Sequence, residues 1–165
     1  MPKTRPRDIG TAAESAVLRV LRTAFPSAER SPLHGGLDEG DIIGTPFTWE
    51  VKGGHAAENA SDGQIMAWLD ETATEVANRQ KAFTYRGLGD SLVNIGFLVT
   101  KRKGKGMTSA NLWWAHLKSD DFARIMIGGD SEEEMPVVPV RLLLEDLLEV
   151  LRINGYTEQN EPPSD

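Results

Sequence analysis

The stretch that most constrains this chain is Gly40-Asp41-Ile42-Ile43-Gly44-Thr45-Pro46-Phe47-Thr48-Trp49-Glu50-Val51-Lys52. It reads as two strands joined by a tight connection. Asp41 opens the first strand, and Glu50 and Lys52 lie on the second. Successive strand side chains alternate faces, so Thr48, Glu50 and Lys52 share one face and Trp49 and Val51 the other. A connection of two or four residues sets Asp41 opposite Glu50. Directly opposed Cβ atoms lie roughly 4.5–5.5 Å apart. Two carboxylates that close repel each other unless a cation sits between them.

The 165 residues suffice for one domain with a real core, expected over residues 1–155 with a disordered polar tail over 156–165. With no cysteine, neither a disulfide framework nor a thiolate zinc site is possible. The start of the chain does not read as a signal peptide, and no apolar run approaches the roughly 20 residues of a membrane span. The chain reads as cytoplasmic. Its net charge of −7 argues against nucleic acid until its distribution is considered. Residues 130–165 carry −8, which leaves residues 1–129 at +1. Two basic clusters stand out, Lys3, Arg5, Arg7 and Lys101, Arg102, Lys103, Lys105. Each alone reads as a solvated segment; with an acidic tail elsewhere, both are consistent with a local nucleic-acid surface.

A helix is expected from about Gly10 to Ala24, capped by Thr11, with Ala13, Ala16, Val17, Val20, Leu21 and Ala24 inward. Glu14 borders that stripe. Residues 28–31 form a short strand, followed by a loop rich in glycine and acid. After the hairpin, residues 55–60 connect to a long helix capped by Ser61 or Asp62 and ending near Phe83. Its apolar side is read as Ile65, Trp68, Leu69, Thr72, Ala73, Val76, Ala77 and Phe83, with Gln80 on the same side. Strands are expected over residues 92–100 and 111–118, then a short helix to Ile127. From Pro139 a leucine-rich helix runs to about Ile153, with Arg141–Glu145 and Glu149–Arg152 pairs outside. Its leucine face reads equally as core packing or as half of a dimer interface.

Glu14, Asp41, Glu50 and Lys52 thus fall near one end of a small sheet. Hard oxygen ligands select Mg²⁺ or Mn²⁺. Such an ion activates water for attack on a phosphate, and an adjacent lysine stabilises the developing charge. The Val51 carbonyl, between Glu50 and Lys52, is a further candidate ligand. An isolated E-x-K is weak; the set G-D-I-I, a short turn, W-E-V-K and then a long helix is stronger.

That set resembles the PD-(D/E)XK nuclease superfamily, most closely the archaeal-type Holliday junction resolvases. The matching residues are Gly10-Thr11-Ala12-Ala13-Glu14, Glu29-Arg30-Ser31-Pro32 with Gly35-Gly36, Asp41-Ile42-Ile43 and Trp49-Glu50-Val51-Lys52, spanning roughly residues 8–100. The resemblance implies an α/β fold with a restriction-endonuclease-like α-β-β-β-α-β core, a central mixed sheet flanked by helices, and here an added C-terminal leucine-rich helix. It implies Asp41 and Glu50 as metal ligands, Lys52 as the catalytic lysine and Glu14 as an accessory acid. Gln80 is the candidate supporting glutamine and His34 a further accessory residue beside the hairpin. Lys3, Arg5, Arg7, Arg30 and the loop with Lys101, Arg102, Lys103 and Lys105 would hold DNA, with branched DNA or a four-way junction the expected substrate, and a homodimer suits a four-way junction. Gly40 stands where the family often has proline, and the acidic C-terminal segment has no counterpart in it. Other nucleases of repair, recombination or restriction, or a non-catalytic DNA-binding or interaction module of the same fold, are the alternatives.

Overall fold

Six strands lie across one mixed sheet in the order of the sequence, β1 to β6. The structure, a computed structural model, describes residues 3–32, 37–129, 134 and 136–158. β1 (Glu29–Arg30), β2 (Ile42–Ile43) and β3 (Thr48–Lys52) are antiparallel neighbours. β4 (Gly96–Thr100) runs parallel to β3, and β5 (Trp114–Lys118) and β6 (Pro139–Leu143) continue antiparallel. A parallel pair needs a long crossover. α2 (Gly54–Glu58) and α3 (Asp62–Tyr85) provide it. The fold is therefore mixed α/β, with helices flanking the sheet.

α1 (Pro6–Leu21) starts earlier than the expected Gly10, and Thr11 does not cap it. Pro6 fits the first turn, where its missing N–H is not needed, and Asp8 favours the positive helix end. Ala13, Ala16, Val17 and Leu21 are buried against the sheet face that carries Trp49 and Val51. Phe25, Phe47, Trp49 and Phe97 meet there, with Trp49 and Phe97 ring centroids 4.7 Å apart.

The C-terminal helix differs from expectation. Residues 139–143 form β6 and pair with all five residues of β5; only α5 (Leu144–Ile153) is helical. Proline is tolerated as the first residue of a strand. The helical spacing of Val140, Leu143 and Leu144 gave way to the open edge of β5, which no local pattern reveals. No Arg141–Glu145 helical pair can form, whereas Arg152 and Glu149 do pair at 2.6 Å. Leu144, Leu147, Leu148 and Leu151 are buried in the main core, so that face is core packing rather than a free interface. Tyr156 and Glu158, expected in a disordered tail, are docked: Tyr156 lies on Phe47, and the Glu158 N–H donates to the Ala24 carbonyl. The acidic loop at 130–133 and residues 159–165 lie outside the described residues.

The remaining differences are local. The strands expected from residues 92 and 111 begin at Gly96 and Trp114, each after a 3-10 turn. The connector expected after the hairpin contains α2. Ser61 caps α3 as expected, its hydroxyl accepting from the Gln64 N–H at 3.2 Å. The inward side of α3 is rotated, however: Ile65, Leu69, Thr72, Glu75 and Arg79 are buried, while Ala73 and Ala77 are exposed.

Candidate active site

Four residues, 44–47, separate β2 from β3, and Ile42 pairs with Trp49. Continuing that register sets Asp41, just ahead of β2, opposite Glu50. The Asp41 N–H donates to the Trp49 carbonyl at 2.8 Å, and its Oδ2 accepts from the Val51 N–H at 2.8 Å. Gly40 makes this approach possible. Its φ is +93°, and a Cβ there would lie 2.9 Å from the Trp49 carbonyl oxygen. Proline, fixed near −65°, cannot take this conformation. The departure from the resembled motif thus has a local cause.

Glu50 is buried, and the Lys52 ammonium lies 2.6 Å from its Oε1. Glu71 is a second, longer partner of Lys52 at 3.6 Å. Burial lowers the Lys52 pKa, but hydrogen bonding and charge from Glu50 outweigh it and leave the ammonium above its ordinary value. Across from this pair, α3 brings in Glu75, also buried. Burial, then the Glu50 charge, pushes the Asp41 carboxyl up to about 8. Burial followed by the charges of Glu50 and Asp38 pushes Glu75 up to about 9. Glu50 is the charge that acts most on both. Near neutral pH the cluster therefore retains protons, which relieves part of its repulsion. Glu75 Oε2 is buried with no hydrogen-bond partner.

Glu75 was not expected. The stripe Ile65, Leu69, Thr72, extended by three, lands on it, and Arg79 follows one turn later; that extension is the signal that was available. Arg79 is buried at the end of the same stripe and donates to the Phe47 and Thr45 carbonyls, clamping the β2–β3 connection to α3. Burial lowers its pKa.

The other expected residues are placed unevenly. Glu14 is close enough for its charge to raise Asp41, but its Oε2 is held by Arg30 at 2.6 Å. Arg30 is consequently in an ion pair with Glu14. Gln80 is directed elsewhere: its Nε2 donates to the Gly89 carbonyl at 3.1 Å, stabilising the turn after α3. His34 lies outside the described residues. His55 is exposed beside Glu58. His116 is buried against Thr100, and burial, then Arg141, lowers it to about 4, so its imidazole is neutral.

Both basic clusters lie at the Lys52 end of the sheet. The Lys101 N–H donates to the Lys52 carbonyl at 2.9 Å, so the loop of Lys101, Arg102, Lys103 and Lys105 leaves directly beside the acids. Lys101 itself is paired with Glu58. A Cβ at Gly53, next to Lys52, would meet the side chain of Ala13 and the Ile9 carbonyl. That contact places the first turn of α1, with Arg5 and Arg7 exposed, at the same end. Lys3 is also exposed, two residues earlier. A cleft of about 810 Å³ opens elsewhere, between α1 and α5. Its charged lining is already engaged, Arg152 with Glu149 and Asn111 with Glu145, and it contains none of the acid cluster.

Oxygen donors alone, an unpartnered Glu75 oxygen and two carboxyls crowded upward in pKa fit a hard divalent cation. Among the described residues no three acidic, histidine or cysteine side chains converge as a complete metal-holding group. Mg²⁺ does not require one: it keeps several waters and is commonly held by one or two carboxylates together with substrate phosphate. No family model, curated protein or solved structure matches this chain.

Proposed function

We infer that this chain is a metal-dependent DNA endonuclease of the PD-(D/E)XK kind, acting on branched DNA such as a four-way junction. One observation carries the reading: Asp41 and Glu50 face each other across β2 and β3, Lys52 lies on Glu50, and Glu75 closes the cluster from α3. The element order α1-β1-β2-β3-α2-α3-β4, antiparallel up to β3 and parallel from β3 to β4, supports it.

Asp41 and Glu50 would hold Mg²⁺ or Mn²⁺, with Glu75 and Glu14 as outer acids. When bound, such an ion lowers the pKa of its water and polarises a phosphate. Lys52 orients the attacking water and offsets charge developing on the phosphate oxygens. The Val51 N–H holds Asp41 Oδ2, which fixes the carboxyl opposite Glu50. The arm with Lys3, Arg5 and Arg7 and the Lys101–Lys105 loop supply cations for the DNA backbone. Two symmetric nicks in a junction require two copies, so the active form is a homodimer.

Purified protein with Mg²⁺ or Mn²⁺ is assayed on a mobile four-way junction and on matched duplex, beside Lys52→Ala and Glu50→Gln. The expected result is junction cleavage that falls at least about 100-fold in either variant. No metal-dependent cleavage of any DNA would sink the enzyme reading. Equal rates on junction and duplex would remove only the junction.

A further inference from the structure

Lys52, Thr100, Trp114 and Leu143 form one row across β3, β4, β5 and β6. Directly paired residues point to the same face of a sheet. Lys52 and Trp114 therefore share a face and an end of the sheet, two strand spacings apart, roughly 10 Å. Trp114 is half-buried, and two guanidiniums stack on it from opposite flanking strands. Arg102, just after β4, lies 4.4 Å from its ring centroid, and Arg141, on β6, lies 4.1 Å away.

Neither arginine makes an ion pair among the described residues, unlike Arg30 with Glu14 or Arg152 with Glu149. Two like charges held on one ring repel each other, and an anion bound to both offsets that repulsion. Contact with one ring holds both guanidiniums side by side, and arginine binds a phosphate with two parallel hydrogen bonds. The charge of Arg141 reaches His116, which stays neutral, so the imidazole adds no third cation. The basic loop that contains Arg102 starts at Lys101, whose N–H is bonded to the Lys52 carbonyl.

We propose that Arg102, Trp114 and Arg141 form a clamp for the phosphate backbone of the DNA strand whose reacting bond lies at Lys52. The proposal rests on the DNA reading of the acid cluster.

The test is equilibrium binding of a fluorescent four-way junction in EDTA, where no metal-dependent cleavage occurs, over about 50 to 200 mM salt. Each phosphate contact contributes about 0.9 to the log–log salt slope. Arg102→Gln with Arg141→Gln is expected to reduce the slope by about 1.8, making its loss of affinity roughly tenfold larger at the low end of the salt range than at the high end. Arg141→Gln alone, an exposed change that leaves the core untouched, should reduce the slope by about 0.9. Arg152→Gln, on α5 and paired with Glu149, should leave it unchanged. Circular dichroism melts check that each protein is folded. An unchanged slope in the folded Arg141→Gln protein overturns the clamp, as does an equal fall for Arg152→Gln. Clamp-dependent binding without cleavage in Mg²⁺ or Mn²⁺ would sink the nuclease reading and keep the clamp; cleavage with an unchanged slope would do the reverse. No binding by the unaltered protein would overturn both the clamp and the DNA reading.

Discussion

Strand β3 divides two environments that differ in almost every respect. On the α1 side, Trp49 and Val51 enter an aromatic and aliphatic core. On the α3 side, Glu50 is equally removed from water but meets Asp41, Glu75 and Lys52. The first side gains stability from apolar surface withdrawn from water. The second has buried, crowded carboxyls, an arrangement that opposes folding unless protons or cations compensate. Alternation along a single five-residue strand thus separates what holds the fold from what the fold holds in place.

The largest expected effect breaks the stabilising side. Trp49→Ala should lower the unfolding free energy by about 3–5 kcal/mol, since it removes a fully buried ring from the aromatic cluster. Urea denaturation measures this, and the loss should be the same with or without Mg²⁺. A loss that Mg²⁺ largely reverses would mean that the two sides are not energetically separate.

A smaller effect is expected at the junction between them. Gly40 sets the backbone from which Asp41 meets Trp49 and Val51. Gly40→Ala forces a side chain into a positive-φ position and toward the Trp49 carbonyl, which should cost about 1–3 kcal/mol. Gly40→Pro, although it restores the residue common in the resembled motif, should be worse, because its φ is incompatible. Denaturation midpoints order the three proteins; a proline variant as stable as the parent would refute this account of the turn.

The hairpin was readable from sequence because its determinants are local. Alternation fixed the faces of Trp49 and Glu50, and the four-residue connection of the structure is one of the two lengths that set Asp41 opposite Glu50. Glu75 was missed because a tolerant run, Thr72-Ala73-Thr74-Glu75-Val76-Ala77, admits two inward rotations of α3, and only contact with β3 and β4 selects one. Residues 139–143 depart from expectation for a related reason: their periodicity fits a helix, but the unpaired edge of β5 comes from more than twenty residues away in the chain. The engagement of Glu14 by Arg30 is likewise a tertiary event, since β1 carries Arg30 up to α1.

The smallest expected effect sharpens the comparison most, because it has opposite signs on the two sides. Removing a core group destabilises; removing one carboxyl from the cluster should stabilise. The folded chain holds protons on Asp41 and Glu75, at about 8 and about 9, that the unfolded chain releases near 4. Below the ordinary carboxyl values both states are protonated, and this contribution to stability is fully present. It is lost as pH rises toward the folded values, so stability should fall between about pH 4 and pH 9. Glu75→Gln removes one of the two titrations and the charge that Glu75 takes on beside its unpartnered oxygen. It should flatten the fall and leave the variant about 1–2 kcal/mol more stable than the parent near the alkaline end, the scale of one unsatisfied buried group. Mg²⁺ should flatten the parent's curve in the same way and the variant's less. Thermal melts at a series of pH values, with and without Mg²⁺, read all four curves. Parallel curves for parent and variant would mean that Glu75 does not share the cluster's charge, and the contrast between the two faces of β3 would then rest on Asp41 and Glu50 alone.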